Sequence, residues 1–101
     1  MVTKDGWLIE AAGAGDLERV RQLLESGASV HARDDWALCW ASEQGHVEVV
    51  RLLLESGASV HAEDDQALRW ASENGWVEVV RLLTGQLPAE ERRWWLLKTI
   101  G

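Results

Sequence analysis

Cys39 and the three histidines His31, His46 and His61 are the side chains here from which a nucleophile–base pair or a metal site is most readily built. A thiol beside an imidazole is an activated nucleophile, and histidine with cysteine ligates zinc. Their spacing argues against both. His31 and His61 lie 30 residues apart within closely matching sequence, so they hold corresponding places in successive structural units. Packed helices stand roughly 8–10 Å apart, too far for two such residues to share one zinc. Cys39 corresponds to Arg69, so the scaffold does not require a thiol there, and a small, half-buried apolar role is the better reading. The expectation is no catalytic residue, no metal and no cofactor.

The aspartate pairs Asp34–Asp35 and Asp64–Asp65 form an acidic row that a basic partner or a cation would suit. They also stand where a helix begins. Aspartate there accepts hydrogen bonds from the free N–H groups of the first turn, and capping is the preferred reading. Trp40 and Trp70 recur at one register and are expected to pack between layers, with Glu10 at the matching point of a first, polar-faced unit.

The elements that position these residues follow from an internal repeat. HARDDWALCWASEQGHVEVVRLL at 31–53 and HAEDDQALRWASENGWVEVVRLL at 61–83 differ at five positions, and the opening GWLIEAAGAGDLERVRQLLESGASV is a weaker third copy. Gly15, Gly45 and Gly75 align, as do Arg21, Arg51 and Arg81. Each unit reads as helix, turn, helix. The first helix ends at a left-handed glycine, Gly45 or Gly75. The second places Val47, Val50, Leu53 and Leu54 on one apolar stripe, with Glu48, Arg51 and Glu55 on the wet face. Gly57 stops it, and ASVHA is too short and isolated for a strand, so no sheet is expected.

At GHVEVVRLLLESGASVHA the sequence resembles the second helix and following turn of the ankyrin repeat. The thirty-residue DDxALxWASExG unit looks like the short ankyrin variant of large DNA viruses, and EAAGAGDLERVRQLLESGASV resembles an ankyrin N-terminal cap. The resemblance implies an all-α solenoid of three stacked repeats whose loops and first helices face a protein partner. WALC and QALR replace the usual TPLH, and the loop before them is three residues shorter, which implies stunted hairpin fingers.

The resulting division is a single domain: 1–30 an N-terminal capping repeat, 31–60 an internal repeat, 61–86 a third repeat and 87–101 a C-terminal capping helix. In that last segment Gly85 ends a helix and Pro88 opens another, with Glu90 and Glu91 at its positive end and Lys98 at its negative end. Leu87, one of Trp94 or Trp95, Leu97 and Ile100 are expected to close the core.

Composition narrows the function. A net charge of −7 without a basic stripe repels a phosphate backbone, so nucleic acid is not an expected partner. The chain holds no run of 18 apolar residues and one cysteine, which point away from a membrane and toward an intracellular, cytoplasmic setting. Whatever the scaffold needs should be identical in the two close copies. Their differences are Arg33 against Glu63, Trp36 against Gln66, Cys39 against Arg69, Gln44 against Asn74, and His46 against Trp76. All fall in the loop, the first helix or the turn after it. Trp36, Gln44, His46, Gln66, Arg69, Asn74 and Trp76 are therefore the expected partner-binding residues, with tryptophan as anchor. Trp94 and Trp95 stand about 100° apart on a helix, so one is free for a partner or a second copy, and the chain is expected to be a monomer or a homodimer.

Overall fold

Each helix of the chain starts and stops for a local reason. The computed structural model describes residues 3–100. Thr3 opens α1 (Lys4–Ala14) by accepting from the Gly6 N–H at 3.2 Å, and Asp16 opens α2 (Leu17–Glu25) by accepting from the Arg19 N–H at 3.1 Å. The remaining elements are α3 (Ala32–Gln44), α4 (Val47–Glu55), α5 (Ala62–Glu73), α6 (Val77–Thr84) and α7 (Ala89–Ile100). Gly15, Gly45 and Gly75 sit at φ 76°, 77° and 74°, left-handed as expected, and turn each first helix into its second. Among the described residues there is no strand.

The helices α1, α3 and α5 stack as one layer and α2, α4 and α6 as the other, giving a solenoid 42 Å long and about 20 Å across. The core runs along the seam as a repeated set. Leu8, Leu38 and Leu68 from the first helices meet Val20, Val50 and Val80 and Leu23, Leu53 and Leu83 from the second. In α4 the buried stripe is Val49, Val50 and Leu53, whereas Val47 and Leu54 are only half-buried. The apolar face is thus rotated from the expected one, with Val49 buried in place of Val47 and Leu54.

The aspartates do not cap. His31 and His61 hold the N-cap positions, without a side-chain cap bond, and Arg33, Asp34 and Asp35 have left-handed φ of 54°, 55° and 60°. Glu63, Asp64 and Asp65 repeat this at 54°, 54° and 62°. Left-handed backbone strains most L-residues, and aspartate is among the types that tolerate it best. The pairs are conformational residues of one left-handed turn inside the opening of α3 and of α5.

The Asp35 carboxylate then reaches across the unit, accepting from the Ser59 N–H at 2.5 Å, as Asp5 does from the Ser29 N–H at 2.7 Å. Each clasp ties the start of a helix pair to the turn that leaves it. Cys39 is fully buried under α5, not half-buried, while Arg69 at the same register is exposed.

At the C-terminal end α7 rests mainly on α6. Pro88 precedes its first turn and accepts from the Arg92 N–H at 3.0 Å, one residue earlier than expected. Leu87 and Trp95 close the core. Leu97 and Ile100 do not, each being 65% exposed, because α7 turns that side outward.

Candidate functional site

The residues with chemical potential are dispersed by the fold. His31 places Nδ1 2.9 Å from Asp35 Oδ1, His61 places Nδ1 2.6 Å from Asp65 Oδ1, and His46 turns away from both toward Gly13. Burial, reinforced by the nearby charges of Asp35 and Glu63, pushes the Cys39 thiol from 9.0 up to about 11. A thiol so held is neutral at physiological pH and shielded from substrate. Among the described residues no group of three His, Cys, Asp or Glu side chains is gathered as a metal would require.

The loop and first-helix surface has more structure than the comparison of copies implied. At one end the left-handed turns stack, so that Glu63 lies beside Asp34. Their shared hydrogen bond, then the charge of Asp34, holds the Glu63 carboxyl above its usual range. Arg69 braces the turn, its guanidinium donating to the backbone oxygens of Asp64 at 3.0 Å and Glu63 at 3.3 Å. Trp36, half-buried, meets Trp70 edge to face, with centroids 5.5 Å apart and planes at 83°.

At the other end of the first helices, rings lie over the glycine turns. A Cβ on Gly15 would stand 2.7 Å from the His46 ring, and one on Gly45 would stand 2.7 Å from the Trp76 ring. Each ring N–H then reaches back to the preceding unit: His46 Nε2 to the Gly13 oxygen at 3.0 Å, and Trp76 Nε1 to the Glu43 oxygen at 2.8 Å. Asn74 joins the same Glu43 oxygen through Nδ2 at 3.2 Å. His46, Asn74 and Trp76 therefore fasten one unit to the next as well as facing outward. The recurring 33-residue offset between ring and carbonyl was present in the sequence, but nothing local identifies a carbonyl as a partner. Gln44 is exposed and Gln66 half-buried, and the side chain of neither hydrogen-bonds to another described residue.

Of the adjacent tryptophans, Trp94 is 55% exposed and Trp95 is buried in the core. Trp95 therefore has no surface to offer a second copy. The rings meet edge to face at 4.8 Å, and the Lys98 ammonium lies 4.9 Å from the Trp94 centroid.

Stacked helix pairs, left-handed glycine turns and a buried seam repeated along the chain define a helical repeat protein. Residues 8–91 match the family described as ankyrin repeats (3 copies), and the chain belongs to that family. A comparison with curated proteins finds no match. Ankyrin repeats are generally protein–protein interaction modules and typically non-enzymatic. No helix among the described residues is long and apolar enough to cross a membrane.

Proposed function

We propose that this chain is a non-enzymatic module that binds a protein partner through its left-handed turns, its first helices and the glycine turns that follow. The observation that carries this reading is where the two close copies differ. Of the ten residues at the five varying positions, Cys39 alone is buried. The second-helix segments Val47–Leu53 and Val77–Leu83 are identical and supply the common seam. Variation confined to one exposed side of an otherwise repeated scaffold is what a specificity surface requires.

On this reading Trp36 and Trp76 give buried area, while Gln44, His46, Gln66, Arg69 and Asn74 orient the partner. The ring clasps keep the surface stiff, which lowers the ordering cost of binding. The units are 1–30, 31–60 and 61–86, with 87–101 as a cap, and the setting is intracellular. The net charge of −7 directs the surface toward protein and away from nucleic acid.

A photo-crosslinking residue at Gln44 or Gln66 should capture the partner, and one at Arg51 or Arg81 on the opposite wet face should not. Capture from Arg51 and Arg81 alone would place the interface on the second helices and end this reading.

A second reading, self-association through α7, is favoured by Trp94, Leu97 and Ile100, which are exposed to 55%, 65% and 65%. Light-scattering mass should then rise with concentration and fall back in Leu97→Glu. A constant monomer mass would dismiss it.

A further inference from the structure

The internal repeat exposes a vacancy. In the third unit the Trp70 ring is flanked by the Trp36 ring of the unit before, edge to face at 5.5 Å. One register earlier Trp40 takes the place of Trp70, and the residue in the place of Trp36 is Gly6. No ring flanks Trp40 from α1. A cleft of about 370 Å³ opens there instead, lined by Thr3, Gly6, Ile9, Glu10, Arg33, Trp36 and Trp40. A cavity of that size stands at the small end of the roughly 300–1,000 Å³ range of ligand sites, with room for a large aromatic side chain.

The walls specify the ring. Trp36 and Trp40 present indole surface, Ile9 is buried beneath, and indoles favour an edge-to-face aromatic neighbour over an aliphatic one. Glu10 stands at the register where the later units carry Trp40 and Trp70, so a carboxylate replaces an indole in the lining. It is an acceptor for the N–H of an incoming indole or the hydroxyl of a tyrosine. We propose that this cleft receives one tryptophan or tyrosine side chain of the protein partner, in the position that Trp36 takes beside Trp70. The proposal rests on reading the first-helix side as the partner surface, and it names that surface's anchor.

The test titrates the intact protein with N-acetyltryptophanamide and follows the indole Nε1–H signals of its tryptophans by NMR. Saturable movement of the Trp36 and Trp40 signals is expected, with a Kd of roughly 1 mM, and N-acetylleucinamide should bind about tenfold more weakly. Gly6→Trp supplies the missing ring from within and should abolish the response. Gly6→Leu fills the same space with less bulk and serves if the first variant fails to fold. An equal response to the leucine compound, or a response that survives a folded Gly6 variant, overturns the proposal. So does the absence of movement, and so does movement of the same signals on dilution without probe, which would assign the cleft to a second copy. Crosslinking from Gln44 and Gln66 reads the surface independently. A partner captured there with no response at Trp36 and Trp40 leaves the surface standing and the anchor refuted.

Discussion

Trp76 donates its indole N–H to the Glu43 carbonyl oxygen at 2.8 Å, and His46, at the matching register, meets the Gly13 carbonyl oxygen at 3.0 Å. The two rings have different chemistry and perform one mechanical task. Facing a carbonyl, the imidazole must carry a proton on Nε2. Trp76→Phe keeps much of the packing on Gly45 and loses the hydrogen bond, so urea unfolding should register a loss of about 1 kcal/mol. His46→Trp substitutes one clasp for the other and should stay near wild type. A Trp76→Phe protein as stable as the parent would mean that the bond contributes nothing.

Asp35 and Asp65 share a register and should differ in consequence. The Asp35 side chain is 6% exposed and holds both His31 and the Ser59 N–H, whereas that of Asp65 is 35% exposed and pairs with His61. Asp35→Asn removes the charge from a buried charge-assisted bond without straining the left-handed backbone and should cost roughly 1–2 kcal/mol. Asp65→Asn, which keeps a side chain tolerant of the left-handed backbone, should cost about 0–1 kcal/mol, as for an exposed pair. Equal losses in chemical denaturation would contradict the clasp from Asp35 to Ser59.

Ser42 is fully buried, and its hydroxyl has no hydrogen-bond partner among the described residues. Ala12 occupies that register in the first unit. Ser42→Ala should therefore stabilise the fold by about 1 kcal/mol, through removal of an unsatisfied hydroxyl and better helix propensity. Ser72, the third member, shares a hydrogen bond with the Thr99 hydroxyl at 2.8 Å, and Ser72→Ala should instead lose about 0.5–1 kcal/mol. A thermal melt of each variant decides the signs.

Cys39 sets a limit at high pH. Its thiol titrates near 9.0 when unfolded and at about 11 when folded, chiefly through burial. The folded state thus binds the proton more tightly, and the associated stability is whole below pH 9 and lost as pH rises toward 11. The loss should reach roughly 2 kcal/mol. In Cys39→Ala the pH dependence across that window should flatten, and at pH 8 the native thiol should resist a soluble thiol reagent until the protein unfolds. Rapid native labelling would show the thiol to be open.

The helix pairs and the left-handed glycines were legible because each depends on neighbours a few residues away, and the thirty-residue period multiplies a local pattern. The site was legible only in outline. Comparing copies located the varying side, yet it could not separate Gln44, which is free, from Trp76, which holds Glu43. It also assigned the aspartate pairs to capping, since composition at a helix start does not distinguish a cap from a left-handed turn.

By itself, the sequence determined that this protein is a stack of helix pairs, where each pair turns, and which side varies. Periodic burial and glycine backbone freedom act within one unit, and they act alike in every copy. Only the tertiary structure decided how corresponding residues diverge: Cys39 is buried and Arg69 exposed, Asp35 is clasped to Ser59 as well as His31 while Asp65 pairs with His61, and Trp95 turns inward while Leu97 and Ile100 face out. The reason is that burial depends on what lies above and below a residue. Cys39 has α5 over it, Arg69 lies toward the end that α7 covers differently, and Trp40 has Gly6 where Trp70 has Trp36.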